Sequence, residues 1–255
     1  HNGVIMKLLT SSICKQGGRE YNQDYLDQIV YDDGACLVVC DGLGSYYGSE
    51  VASRTCATHI IDAYSQVKQV DPERAVKPEY CQSYIQSAHN RVVDEKERNA
   101  KIRSSCTTVA CVTTDFNSTV ISHIGDTRVY FFKNNKLHFQ TKDHSLSQIA
   151  VEMGKIPLRD IRSDKDQNKL TRVLGSDYYI PPDCDIYNNP LQPGDAFILC
   201  SDGFWEYVYE EEMEEDLQSS ATPEEALARM EQRLLSRVTK YNDNYSAIVA
   251  MVKEG

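Results

Sequence analysis

Five aspartates stand where apolar runs of this 255-residue chain stop or start. Asp41 follows "CLVVC" and is followed by Gly42 and Gly44. Asp202 follows "FILCS" and precedes Gly203. Asp126 follows Gly125 at the end of "ISHI". Asp243 stands just before "YSAIVAMV", and Asp24 closes the Gly-rich stretch "GGREYNQD". A lone Asp beside Gly is ordinarily a turn former, its carboxylate bonding nearby backbone N–H groups. The set argues for more, because Asp41 and Asp202 end near-continuous apolar strands and have no basic neighbour within several residues. If the strand ends converge, the carboxylates repel one another unless cations lie among them. Hard divalent metals take such oxygen ligands, backbone carbonyls included. A glycine after the Asp leaves its carbonyl free to approach, so Asp41 and Gly42 could serve one metal centre. Clustered acids would also suit a calcium store, but the EF-hand pattern is absent and the acids spread over most of the chain. No His/Cys group has zinc-ligand spacing.

These residues need elements to carry them. Strands are predicted at 3–14, 35–40, 107–114, 119–124, 183–187, 195–200 and 246–252. A hairpin is predicted around Asn134-Asn135, between 129–133 and 136–140. Helical spacing covers 48–69 and 73–99, the second with Tyr80, Tyr84, Ala88 and Val92 as its stripe. Another helix, 223–239, begins with Thr222 as cap, Pro223 first and Glu225 third. This order does not alternate regularly, which argues for packed antiparallel sheets with helices outside. Residues 145–175 are polar and give no clear period. The run "YEEEMEED", 209–216, reads as a solvated helical face.

In order along the chain, "REYNQD", "VCDGLGS", "SCTTVACV", "HIGDTRVY", "TKDHSL", "LTRVLGSD", "LCSDGFWEYV" and "DNYSAIV" resemble the motifs of the metal-dependent protein phosphatases, the protein phosphatase 2C family. Each motif alone is weak; eight in family order over nearly the whole chain are specific. The resemblance implies an α+β fold: a four-layer α/β/β/α sandwich of two antiparallel sheets flanked by helices. It forms one domain over 1–255, with a flap near 145–175. It implies two Mn²⁺ or Mg²⁺ ions and a metal-activated water that hydrolyses phosphoserine and phosphothreonine. Asp41 matches the carboxylate bridging both metals, Gly42 the carbonyl ligand, and Asp202 and Asp243 ligands of the first metal. Asp24 stands by the second metal. Asp126, with Asp202, matches a third, weaker metal site of bacterial members. Arg19 matches the residue that grips the substrate phosphate, two-pronged; without the motif it reads as a surface arginine.

Three departures stand out. Gln23 replaces a Glu of many members, Leu43 replaces the general-acid His of eukaryotic members, and Ser45 replaces a closing Gly. None removes a core metal aspartate, which favours an active enzyme over a pseudophosphatase; the alternatives are a catalytically weak binding or sensor module that keeps the fold, and a phosphatase acting on small phosphoesters. His144 reads as a turn histidine rather than a catalytic acid, and Trp205 as core rather than a binding platform.

The net charge of −11 argues against broad contact with nucleic acid or anionic membranes. No apolar run reaches the length of a membrane helix, and no charged-then-apolar leader is visible. Nine cysteines, an odd number without a C-x-x-C pair, suit free thiols in a reducing cytoplasm. By family analogy the expected partners are phosphorylated proteins, including a Ser/Thr kinase or its substrates, and the expected state is a monomer.

Overall fold

The computed structural model describes residues 4–43 and 48–255; Gly44 and Ser45 lie outside them. The strands are β1 (Met6–Lys15), β2 (Asp24–Tyr31), β3 (Gly34–Leu43), β4 (Cys106–Thr107), β5 (Val109–Thr114), β6 (Thr119–Ile124), β7 (Arg128–Lys133), β8 (Lys136–Gln140), β9 (Asp183–Tyr187), β10 (Ala196–Cys200) and β11 (Tyr245–Glu254). The helices are α1 (Ser49–Val70), α2 (Pro78–Arg98), α3 (Leu146–Glu152), α4 (Asp202–Trp205), α5 (Glu210–Gln218) and α6 (Pro223–Leu235). One sheet runs β1-β11-β10-β7-β8. The other runs β2-β3-β5-β6-β9, with β4 beside β3. The pairs are antiparallel, as the irregular element order predicts.

The continuous apolar runs follow from burial on both faces of the central strands. Leu37, Val39, Val112, Phe131, Phe197, Leu199 and Ile248 meet between the sheets. The outer face of the β3 sheet, with Cys36, Val38 and Cys40, packs under α1 and α2 through Cys56, Ile60, Tyr64, Tyr84 and Ala88. The outer face of the β10 sheet, with Ile198, Cys200 and Val249, packs under α5 and α6 through Met213, Leu217, Leu227, Met230 and Leu234. This is the four-layer sandwich.

Local signals explain the boundaries. Asn134 and Asn135 have φ of 50° and 62°, the left-handed pair a two-residue hairpin requires. Thr222 accepts from the Glu225 N–H (3.2 Å), and the Glu225 carboxylate accepts from the Ala221 N–H (3.1 Å), capping α6. Its last turn ends at Leu235, four residues short of the expected 239. β2 carries no clear two-residue period because it is an edge strand, partly exposed along most of its length. The acidic run is more than a solvated face: Met213, Asp216 and Leu217 of α5 are buried. Arg233 of α6 forks onto Asp216 at 2.9 Å through both Nε and Nη2. Residues 145–175 hold α3, a 3₁₀ turn at Leu158–Ser163 and irregular chain.

Candidate active site

Strand register brings the acids to one end of the sandwich. Asp24 opens β2 and lies directly opposite Asp41 near the end of β3. Cys200, the last residue of β10, lies opposite Ala247 of β11, so Asp202 just past one strand neighbours Asp243 just before the other. Asp126 occupies the turn between β6 and β7.

Backbone and hydroxyl contacts then fix each acid. The Asp41 N–H donates to Thr108 Oγ1 and its carbonyl accepts from the Thr108 N–H, both at 3.0 Å. Thr108 Oγ1 also shares a hydrogen bond with Thr127 Oγ1 (2.6 Å), beside Asp126. Asp24 Oδ2 accepts from the Ser201 and Ser246 hydroxyls, each at 2.8 Å. Asn244 accepts from the Gln23 N–H (3.0 Å) and donates to the Gln16 and Tyr21 carbonyls (2.7 and 2.9 Å), tying the Arg19 loop to the start of β11. Two glycines are there for close approach. A Cβ on Gly42 would overlap the Ser49 carbonyl, and one on Gly203 would overlap the Asn244 carbonyl. Thr108, Thr127, Ser201, Ser246 and Asn244 were not singled out from the sequence. Their only signal there is membership of the quoted motifs.

The electrostatics are those of crowded carboxylates. Burial pushes Asp24 up to about 6, against hydrogen bonds from Ser246, Asp41 and Ser201. Burial likewise raises Asp202 to about 6. Asp243 also rises to about 6, through burial and then repulsion by Asp202, with Arg19 opposing. Asp41 is driven well above the usual carboxylate range by burial and then by Asp24, Asp202, Asp243 and Asp126. Asp126 follows, through burial and then Asp202 and Asp143. Arg19, its side chain 58% exposed, reaches this group only at the rim, with Nε 3.5 Å from Asp243 Oδ1.

The residues fit divalent metal ions. The donors are all oxygen. Asp24 Oδ1 is buried without a hydrogen-bond partner, a costly state that a cation or its bound water would relieve. Among the described residues, a trio of candidate ligand atoms mutually within 4.8 Å occurs at His123, His144 and Asp183 rather than among these aspartates.

The remaining expectations find their places. Gln23 is held through its backbone: its carbonyl accepts from the Gly42 N–H (2.9 Å) and the Ser53 hydroxyl (2.8 Å). His144 is buried, bonded at both ring nitrogens, and held down at about 4 by burial and then His123, so near neutral pH it has no spare proton to give. Trp205 is fully buried in the core under α5 and α6. The 145–175 segment is anchored near the site: Arg162 Nε donates to the Trp205 carbonyl (2.9 Å), and Gln167 donates to Glu206 (3.2 Å), which repels Asp202.

Two stacked antiparallel sheets with aspartates gathered at one end define the class of metal-dependent phosphatases. Residues 16–246 match the family model described as Protein phosphatase 2C, and the chain belongs to that family. It is 29% identical over 191 residues to the serine/threonine phosphatase Stp of Listeria monocytogenes, covering 75% of each chain. The crystal structure of serine/threonine phosphatase Stp1 from Staphylococcus aureus matches with a TM-score of 0.83 at 24% identity, over 100% of this chain and 98% of that one. The catalytic domain of the phosphatase PstP, solved in complex with two manganese ions, matches with a TM-score of 0.78 at 23% identity, over 98% and 100%. At such identities the two structures speak for the fold.

Proposed function

We infer that this chain is a metal-dependent protein serine/threonine phosphatase. It hydrolyses phosphoserine and phosphothreonine in proteins. The observation that carries the site reading is the meeting of five aspartates, from five separate segments, around Asp41, which each of the other four repels. In this reading Asp41 and the Gly42 carbonyl would hold two divalent ions, with Asp202 and Asp243 serving the first and Asp24 beside the second. Asp126 with Asp202 offers a third, weaker site. Bound there, the metals supply positive charge for the phosphoryl oxygens and a water acidic enough to lose its proton near neutral pH. Arg19, exposed and two-pronged, swings from Asp243 to the phosphate and offsets charge on its equatorial oxygens. Leu43 offers no proton to the leaving oxygen and His144 is committed elsewhere, so solvent is left to protonate it.

Mn²⁺ or Mg²⁺ suits the oxygen donors, and the PstP neighbour with two manganese ions supports the ion count. We assign the chain one catalytic domain with 145–175 as flap, and a monomeric state. Its substrates are phosphoproteins, among them a Ser/Thr kinase or that kinase's targets, in a bacterial signalling setting. The nine free cysteines favour a reducing cytoplasm. No helix among the described residues is long and apolar enough to cross a membrane.

The deciding assay follows phosphate release from a phosphothreonine peptide after metal removal. Activity is expected on adding Mn²⁺ or Mg²⁺ and none in excess chelator. Full turnover in chelator would refute the metal mechanism.

A further inference from the structure

Behind Asp126 lies a group of side chains to which the phosphatase reading gives no task. The buried rings of His123 and His144 stack with centroids 4.4 Å apart and planes 13° apart. With Asp183 they have the spacing of a transition-metal site. Their hydrogen bonds argue against one. The Gly125 N–H donates to His144 Nδ1 at 3.0 Å. A backbone amide can only donate, so Nδ1 carries the lone pair and the ring proton sits on Nε2. That proton is given to Asp183 Oδ2 at 2.9 Å. His144 therefore has no lone pair left for a metal. His123 donates from Nε2 to the Lys142 carbonyl (2.7 Å), which leaves its buried Nδ1 without a partner, so the two histidines together offer a metal a single ring lone pair.

What the group holds is backbone. The His144 N–H donates to the Gly125 carbonyl at 3.0 Å, so one residue engages both the N–H and the C=O of Gly125. Gly125 has φ +101°, and a Cβ there would stand 2.7 Å from the Thr108 methyl, so the turn has little freedom to relax. The Asp126 carbonyl accepts from Trp205 Nε1 at 2.8 Å. Trp205 belongs to α4, the helix that Asp202 opens. Arg128 lies 3.5 Å over the Trp205 ring and forks onto Asp143 at 2.8 and 2.7 Å, which fixes the residue before His144. Asp183 is steadied in turn by Arg172 Nη1 on its other oxygen (2.9 Å).

We propose that His144 is a positioning residue: by accepting the Gly125 N–H at Nδ1 while Asp183 holds the proton on Nε2, it fixes the 125–126 turn and so places Asp126 against Asp202 at the third metal site. This rests on the metal reading of Asp126 given above.

The test has two parts, both on the full chain. In the metal-free protein, ring ¹⁵N shifts of His144 are expected to show bare Nδ1 and protonated Nε2. A protonated Nδ1 overturns the proposal. Calorimetric Mn²⁺ titration then compares wild type with Asp126→Asn, His144→Leu, His144→Asn and Asp183→Asn. Asp126→Asn is expected to lose the weakest site. If it does not, the metal reading of Asp126 is what fails. Where it does, His144→Leu is expected to weaken that same site about tenfold while the tighter sites stay within about threefold. His144→Asn keeps an acceptor near the Nδ1 position and is expected to stay within about threefold of wild type throughout. A Leu variant with wild-type affinity at the weak site, or an Asn variant as impaired as Leu, overturns the proposal. Should the Leu variant fail to fold, Asp183→Asn decides. Asp183 is half-exposed, and its amide tolerates the wrong tautomer, so a loss of about threefold or more is expected and unchanged affinity overturns the proposal.

Discussion

Arg19 faces two anions, the Asp243 carboxylate it touches and the phosphate it is proposed to bind. An exposed ion pair contributes about 0–1 kcal/mol, so leaving Asp243 costs little. A charged hydrogen bond to a phosphate in the site contributes roughly 1.5–3 kcal/mol. Arg19→Ala is therefore expected to lower kcat/KM on a phosphothreonine peptide about ten- to a hundredfold, with Mn²⁺ affinity unchanged within a few fold. Lys should restore part of the loss, lacking the two-pronged donor. Asp41→Asn is expected to behave differently: turnover falls by orders of magnitude even at saturating Mn²⁺, and calorimetry shows weakened metal binding. An Arg19→Ala enzyme that binds Mn²⁺ as poorly as Asp41→Asn would mean that Arg19 holds the acidic cluster together and does not serve the phosphate. The residues of this contrast are legible in the sequence by type and place. Thr108, which grips both peptide groups of Asp41, is not, because it looks like any strand threonine until β3 and β5 are aligned.

At the scale of elements the site is a corner where β10 breaks into α4 beside the start of β11. Gly203 makes that corner possible, since its Cα faces the Asn244 carbonyl with no room for a methyl. Gly203→Ala must push α4 from β11, parting Asp202 from Asp243. Overpacking of this kind costs about 1–3 kcal/mol, so the melting temperature is expected to fall by roughly 2–10 °C. Mn²⁺ affinity should fall with it, read by calorimetry on the folded variant. A variant with wild-type melting and wild-type Mn²⁺ binding would show that the corner is looser than drawn. The glycine is plain in "CSDGF"; what it avoids is a carbonyl 41 residues away by chain, just ahead of β11.

Across the whole molecule the acids link metal binding to pH. In the metal-free protein Asp24, Asp202 and Asp243 rise to about 6 from an ordinary 3.8, and Asp41 and Asp126 are likewise driven well above it. A carboxyl whose pKa is raised on folding holds its proton more tightly in the folded state than in the unfolded one. Stability therefore falls as pH climbs through that window and the folded carboxyls are forced to ionise. Bound Mn²⁺ favours the ionised form and binds only the folded chain. The gap in melting temperature between Mn²⁺-loaded and chelated protein is thus expected to widen from pH 5.5 to 7.5, by at least about 2 °C. The buried histidines, lowered by desolvation, titrate in both forms and largely cancel in the difference. A gap that is constant or shrinks with rising pH would show that the five aspartates do not share the metals.

Patterns confined to a few consecutive residues could be read directly along the chain. The apolar runs ending in Asp, the Asn134-Asn135 hairpin, the Thr222 cap and the order of eight motifs each depend on local propensity or short spacing, and together they gave the layered class and the acids. Long-range register lay beyond such patterns. The pairing of Asp24 with Asp41 belongs to an edge strand with no clean alternation, and was missed with it. Serines 201 and 246 meet on Asp24 Oδ2 from more than 170 residues away, and the grip on Gly125 spans the β7–β8 hairpin. Ladder hydrogen bonds and sheet stacking set those distances, and a strand's own side chains state which faces are apolar but not which residue on another strand stands opposite.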